Sequence, residues 1–141
     1  MAAFNKFNDY SEQRTRGVHS WGVHAFKIAL SNIAPVAANT VLADITQIAA
    51  GGGYVAGGNA LTGITVNEAA GVTTVAAAQV PFVAAVAPIA TFRYYVLYND
   101  TSASKNLVSW WDHGVAVNLA DGDAFNVKFN NANPGTIFTD S

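Results

Sequence analysis

Charged side chains are almost absent from the middle of the chain. Of the 62 residues between positions 31 and 92, only Asp44 and Glu68 carry a charge. An ordinary soluble domain is about one quarter charged, which would place about fifteen charges there. Charged groups are depleted where one protein covers another. We therefore expect part of this region, above all residues 50–90, to be a contact surface in an assembly.

The chain is long enough for one domain with a substantial core. It has 141 residues, 51% of them apolar. A chain of this mass should expose about 6,900 Å² when folded and about 21,000 Å² when unfolded. Disordered chains are rich in charge and poor in apolar residues, so this composition predicts a folded domain.

The charge balance and the absence of cysteine exclude several classes of function. The net charge is −2 and the seven Lys and Arg residues are scattered, so we expect no direct contact with nucleic acid. Without cysteine there are no disulfides and no thiolate chemistry. The N-terminal residues lack the apolar core of a signal peptide. The uncharged run 69–92 is long enough to span a membrane, but Gln79, Pro81 and Pro88 interrupt it, so we expect no membrane segment.

Apolar residues alternate along most of the chain, which predicts a mainly antiparallel all-β domain, a β-sandwich or a barrel. The run 91–98 is apolar on both faces and is typical of a central strand; alternation puts Phe92 on the face of Val96 and Tyr98. Asp121-Gly122 predicts a hairpin between residues 115–119 and 124–129. The other predicted strands cover residues 23–30, 61–67, 72–79, 82–86, 107–112, 123–129 and 136–138.

One segment has helical spacing and predicts a single short helix near residues 40–49. Its apolar residues fall on one helical face. Asn39 or Thr40 could cap its start, and the run Gly51-Gly52-Gly53 would end it. The apolar face consists of Val41, Leu42, Ile45, Ile48 and Ala49.

Residues 1–17 are predicted to form an extended N-terminal arm beside a single β-rich domain of residues 18–141. The arm is polar but carries three aromatic residues, Phe4, Phe7 and Tyr10. It is either a frayed terminus or an arm whose aromatic side chains dock on a neighbouring subunit.

No residue set in the sequence predicts catalysis, a cofactor or a metal site. The glycine run follows a helical pattern and has no Lys after it, the reverse of a phosphate loop. Asp112-His113 with His19 and His24 could bind metal, but histidines in turns that bond locally are the commoner case. Asp121 and Asp123 flank Gly122 in a pattern typical of a tight turn. We expect no enzyme.

Exposed aromatic residues could instead bind sugars by stacking. Trp110, Tyr95 and Tyr98 are the candidates for such a platform. Neighbouring side chains of a regular strand point to opposite faces, so Trp110 and Trp111 cannot both enter the core. One of them is expected under a loop or at an interface.

Two blocks of sequence combine an apolar strand with a polar turn. The first comprises residues 27–35 (KIALSNIAP) and 42–54 (LADITQIAAGGGY), followed by Gly57-Gly58. The second comprises residues 93–101 (RYYVLYNDT), Trp111-Asp112 with Gly114, and residues 125–129 (FNVKF). These blocks, which cover about residues 23–138, resemble small virion structural proteins of tailed bacteriophages. Residues 1–17 match no part of that pattern.

The resemblance implies a non-enzymatic virion protein, most like a capsid decoration (cement) protein. Such a protein would be made in the host cytoplasm, bind the major capsid protein on the outer capsid surface and form homo-oligomers, a trimer being favoured and a dimer possible. A tail or baseplate component and a carbohydrate-binding or receptor-binding module are the alternatives. The expected contact residues are Phe4, Phe7, Tyr10, Tyr54, Val75, Ala77, Val83 and Trp110.

Overall fold

The structure, a computed structural model, describes residues 3–141. Within this range the chain is built mainly of short strands, with one α-helix, α1 (Asn8–Thr15), and 3₁₀ turns at Leu42–Asp44 and Phe129–Asn131. The strands are β1 (Asn5–Lys6), β2 (Phe26–Ser31), β3 (Asn59–Ala60), β4 (Thr65–Ala69), β5 (Val72–Ala77), β6 (Val80–Val83), β7 (Ile89–Asn99), β8 (Leu107–Leu119), β9 (Ala124–Val127) and β10 (Gly135–Asp140).

The strands form three antiparallel sheets. The largest has the order β1-β8-β7-β2-β3, the second β10-β5-β4, and the third pairs β6 with β9. All strand pairs are antiparallel. The predicted mainly antiparallel all-β fold is therefore confirmed, and β7 is the middle strand of the largest sheet, as the apolar character of both its faces predicts.

The largest sheet is covered on both faces, which gives the domain its sandwich-like layers. On one face, Leu97 and Trp111 belong to a large cluster with Val75 of β5 and Phe82 of β6. On the other face, Val96, Tyr98 and Leu107 pack with Phe7 from the N-terminal segment and Ile45 from the 41–48 loop. Burial on both faces explains why β7 contains so few polar residues.

Two details of the predicted strand pattern are wrong. Phe92 packs in the same cluster as Tyr95 and Leu97, because the pairing of β7 with β8 shifts register on both sides of Phe92. Asp121-Gly122 does form a tight turn, in which the amide of Asp123 donates a hydrogen bond to the carbonyl of Ala120 at 2.9 Å. It does not close a hairpin, because β9 pairs with β6 rather than with β8.

The helix predicted near residues 40–49 is wrong. Only a 3₁₀ turn at Leu42–Asp44 forms, and the backbone of Ile45 already has extended dihedral angles. The Asp44 carboxylate accepts hydrogen bonds from the amides of Thr40 and Val41 at 2.9 and 3.3 Å, which caps the start of this short turn. Gln47 then forms a bridge to Ser31 of β2. Five β-branched residues in the segment 40–49 favour the extended course over a helix.

The N-terminal segment is not an extended arm and is not separate from the domain. Met1 and Ala2 lie outside the described residues, but from Asn5 onward the segment pairs with β8 as β1 and then forms α1. Tyr10 of α1 is buried and accepts a hydrogen bond from Trp21 Nε1 at 2.9 Å. The domain boundary predicted at residue 18 is therefore wrong, because the segment is part of the core.

The folded chain is as compact as a monomer of its size should be. Its accessible surface is 6758 Å², close to the roughly 6,900 Å² expected from its mass. Phe7 and Tyr10 of the N-terminal segment are buried within this one chain, and Phe4 is partly buried.

Candidate contact surface

Five of the eight predicted contact residues lie inside the chain's own core. Phe7 is 0% exposed and packs against Trp110 with the two rings tilted by 44° and their centroids 4.6 Å apart. The others are also buried: Tyr10, Tyr54, Val75 and Ala77. Their apolar character is explained by folding, so the prediction that they contact another molecule is not supported by their position.

Two of the remaining contact residues are partly buried by neighbouring aromatic rings. Phe4 packs against Trp111 and Phe138, with centroids 5.7 and 5.8 Å apart. Trp110 packs against Phe7 at the edge of the smaller core cluster, whereas Trp111 is buried in the larger one. The expectation that the two tryptophans divide between the core and a covered position is confirmed, and the cover is the chain's own N-terminal segment.

Val83 is the one predicted contact residue that is well exposed, at 51%. It ends β6 and leads into a loop of uncharged residues, Ala85, Val86, Ala87 and Pro88, all exposed. The side chain of Val86 is 95% exposed, the highest value among the large apolar residues described. Sequence reasoning did not identify Val86, because nothing in the run of Ala and Val marks which residue turns outward.

Val86 is held in a conformation that valine rarely adopts. Its φ is +73°, and a β-branched residue in this region is strained by about 1–3 kcal/mol. Three hydrogen bonds fix the loop: Val86 N donates to Asp121 Oδ1 at 2.8 Å, Ala85 N to the carbonyl of Gly52 at 2.9 Å, and Ala84 N to that of Asp123 at 2.8 Å. The loop is therefore an anchored turn that presents an apolar side chain to the outside.

The run Gly51-Gly52-Gly53 lies directly against this loop. A Cβ on Gly52 would overlap the carbonyl oxygen of Pro88, and a Cβ on Gly53 would overlap that of Val83. Both glycines also have positive φ, so the close backbone approach needs glycine. The glycine run thus has a packing role rather than a role in binding phosphate.

A groove of about 640 Å³ opens between the glycine run, the start of β7 and the end of β8. No charged side chain lines it, and most of its lining is Ala, Gly, Ile, Leu and Pro. We call the groove together with the 83–88 loop the Val86 surface. Most of its residues belong to the charge-poor region of the sequence, and Asn118, Leu119 and Ala120 of β8 and the turn after it complete the groove.

The histidines form a buried polar cluster rather than a metal site. Asn99 accepts the amides of Thr101 and Ser102 on Oδ1, which turns its Nδ2 toward the Nδ1 atoms of His19 and His24 at 3.2 and 3.0 Å. Burial, followed by the nearby His24, lowers the pKa of His19 to about 4. Neutral His19 is therefore a structural group between Tyr10 and Phe26.

Asp112, His113 and Asp121 each have partners close to them in the structure. Asp112 makes a two-pronged ion pair with Arg93 at 2.7 and 3.0 Å, which together with the Gly114 amide lowers the pKa of this carboxyl. His113 is exposed and packs its ring against Phe125. The Asp121 carboxylate accepts a hydrogen bond from the Val86 amide. Each group has a local structural role.

The predicted sugar-stacking platform is not available on the surface. Tyr95 and Tyr98 are buried, and Tyr98 donates its hydroxyl to the carbonyl of Gly57 at 2.6 Å. Trp110 is partly covered by Phe7. Stacking on a sugar needs an open ring face, and two of the three rings lack one.

Three further findings bear on the class of site. Within residues 3–141, no group of three or more His, Asp or Glu side chains is placed to hold a metal ion. In the same range, no helix is both long and apolar enough to cross a membrane. Comparisons with protein-family models, curated proteins and solved structures found no match to this chain.

Proposed function

We propose that the chain is a non-enzymatic virion structural protein of a tailed bacteriophage, most like a capsid decoration protein. It would bind the major capsid protein on the outside of the head through the Val86 surface. The resemblance of residues 23–138 to small phage virion proteins supports the biological setting. The exposed Val86 surface, whose own residues carry no charge, supports the mode of action.

The observation that carries the proposal is the combination of exposure and strain at Val86. An apolar side chain that is 95% exposed gains nothing from folding, and its φ of +73° adds a cost. Strained conformations persist where the surroundings hold them, and they cluster at binding sites. A partner that covers Val86 and fills the adjacent groove would account for both features.

The low charge of this surface is suited to a repeated contact on a lattice: its own residues are uncharged, and the neighbouring Asp121 carboxylate accepts a hydrogen bond from the Val86 amide. Each contact would be small and apolar and would need no matching ion pair. Many copies bound to one shell stabilise it through the number of contacts rather than the strength of each.

Binding of purified protein to expanded, undecorated capsids from the same phage tests the proposal. We expect Val86→Glu to weaken binding at least tenfold, because an unpaired carboxylate buried in an apolar contact costs more than about 1.4 kcal/mol. Val23→Glu is the matched control, because Val23 is also a highly exposed valine, at 83%, but lies outside the Val86 surface. Equal binding by both variants would refute the proposed site.

The same experiment distinguishes the head from the tail. If the wild-type protein binds isolated tails or baseplates and not capsids, the structural role holds and the head assignment is wrong. Binding to neither particle would reject both assignments.

A further inference from the structure

Strand β4 is an open edge of the three-stranded sheet β10-β5-β4. All five of its residues are exposed. Among the described residues, none of them makes a backbone hydrogen bond outside its pairing with β5. Edge strands are usually protected by Lys, Pro or a bulge. β4 has neither residue, and its pairing with β5 runs through five residues without a shift.

The hairpin turn determines which backbone groups of β4 face outward. Ala69 pairs with Val72 across a two-residue turn in which Ala70 and Gly71 both have positive φ. The residues flanking such a turn are hydrogen-bonded to each other, and bonded and non-bonded pairs alternate along an antiparallel ladder. Asn67 and Thr65 therefore bond inward to β5.

The outward-facing N–H and C=O groups therefore belong to Val66 and Glu68. Two β4 strands can pair antiparallel so that Val66 of each copy lies opposite Glu68 of the other. Each of these two pairs exchanges two hydrogen bonds, so all the outward groups of both residues are used. Asn67 then lies opposite Asn67 of the second copy, on the twofold axis.

Charge disfavours one of the two neighbouring registers, and use of all the outward groups of Val66 and Glu68 favours the self-matched one over the other. A shift of two residues would place Glu68 opposite Glu68, and like charges directly opposite each other are destabilising. In the self-matched register, Glu68 faces the apolar Val66 instead. The Glu68 carboxylate is also held by its own hairpin, since its Oε1 accepts the Gly71 amide at 2.7 Å. The edge is therefore complementary to itself in hydrogen bonding, and this register keeps the two Glu68 side chains from lying directly opposite each other.

We propose that a second copy of this chain docks on β4, with the two β4 strands paired antiparallel about Asn67. The two three-stranded sheets then join into one continuous six-stranded sheet across a twofold axis. An isologous contact of this kind gives a dimer, not the trimer favoured by the resemblance. The pairing does not depend on the proposed virion function, because it is a property of the purified chain.

Cysteine cross-linking tests both the pairing and its register. The chain contains no cysteine, so each introduced thiol is the only one. Asn67→Cys should form an intermolecular disulfide under mild oxidation, because the Cα atoms of that pair should lie about 4.5 Å apart, within disulfide range. Thr65→Cys and Ala69→Cys should not cross-link alone, since each is about 13 Å from its own counterpart. Mixed together, they should cross-link, because position 65 lies opposite position 69.

A failure of Asn67→Cys to cross-link would overturn the proposal, as would cross-linking of Thr65→Cys alone at the same rate. A second pair of variants tests the pairing without a disulfide. The Val66 amide faces outward, so Val66→Pro removes a dimer hydrogen bond and leaves the β4–β5 ladder intact, whereas Val66→Thr keeps the amide. Light scattering should show the dimer for Val66→Thr and a loss of dimer for Val66→Pro, with matching thermal unfolding of the two monomers. Dimers of equal stability in Val66→Pro and Val66→Thr would also contradict the proposed pairing.

Discussion

Replacing Phe7 by alanine tests whether the N-terminal segment belongs to the chain's own core. Phe7 is fully buried and packs with Trp110, Val96 and Tyr98 on the outer face of the largest sheet. A buried aromatic side chain of this kind removes about 150–250 Å² from water, worth about 4–6 kcal/mol at 25 cal/mol per Å². Measured losses for Phe→Ala in cores are about 3–5 kcal/mol. We expect a loss of that size.

Urea unfolding followed by tryptophan fluorescence measures the effect, at two protein concentrations about a hundredfold apart. If Phe7 packs within its own chain, the difference between wild type and Phe7→Ala is the same at both concentrations. Val83→Ala is a suitable control, because half of that side chain is already exposed, and we expect it to cost less than about 1 kcal/mol. A difference that grows with concentration would mean that Phe7 docks on a neighbouring subunit. A loss below about 1 kcal/mol would mean that Phe7 is not in the core.

The remaining predictions concern charge, pH and one close backbone contact. Ala77→Glu should unfold the domain or lower the free energy of unfolding in urea by more than about 3 kcal/mol, because it buries an unpaired carboxylate. Val83→Glu should leave the free energy of unfolding within about 0.5 kcal/mol of wild type, because its site is exposed. Similar losses in both variants would contradict the burial assigned to these sites. The pKa of His19 is about 4 in the fold and about 6.5 in the unfolded chain. The contribution of neutral His19 to the free energy of unfolding is therefore complete above pH 6.5. As pH falls toward 4, the free energy of unfolding decreases by roughly 3 kcal/mol. Unfolding measured across this range should lose that slope in His19→Gln and keep it in the exposed control His113→Gln, and a slope retained in His19→Gln would show that another group is responsible. Gly58→Ala should cost several kcal/mol in thermal or urea unfolding, since a Cβ there would overlap the Ile28 carbonyl oxygen at a φ of +75°, and a near-neutral result would mean that the two backbones are not in close contact.

The sequence predicted the strands well because alternation is a local signal. Examples are the predicted strands 72–79, 91–99 and 123–129. In each of them, side chains alternate between two faces of the strand, and the apolar side chains pack into a core. The order of the strands within the sheets could not be predicted from the sequence. The turn at Asp121-Gly122 has the chemistry of a hairpin, yet the chain changes sheets there, because the partner of β9 is chosen by packing with Phe82 and Val80 of β6.

The two helical segments show the limits of periodicity. Residues 40–49 have apolar spacing that suits a helix, but the same residues also reach the core when the chain runs extended along β2 and binds it through Gln47. The segment that does form α1 has only one buried residue, Tyr10, so it has no apolar stripe to detect. Two features of the sequence mark this helix. One is the ion pair Glu12–Arg16 at i,i+4 spacing, 2.8 Å apart in the structure, and the other is Gly17 directly after the end of the helix.

The contact surface was predicted both as a region, residues 50–90, and as eight individual residues. Low charge marks the region as unusual, but it does not separate positions that are apolar because they are buried from those that are apolar and exposed. Tyr54 and Ala77 belong to the first class and Val83 to the second. The outward turn at Val86 depends on the Asp121 side chain, which lies 35 residues away in the sequence.

The position of this chain in a reconstruction of the phage particle tests the central claim most directly. We predict density for the domain on the outer capsid surface, with Val86 and the adjacent groove covered by the major capsid protein. A chain that is absent from the particle, or that is bound with the Val86 surface facing solvent, would contradict the account.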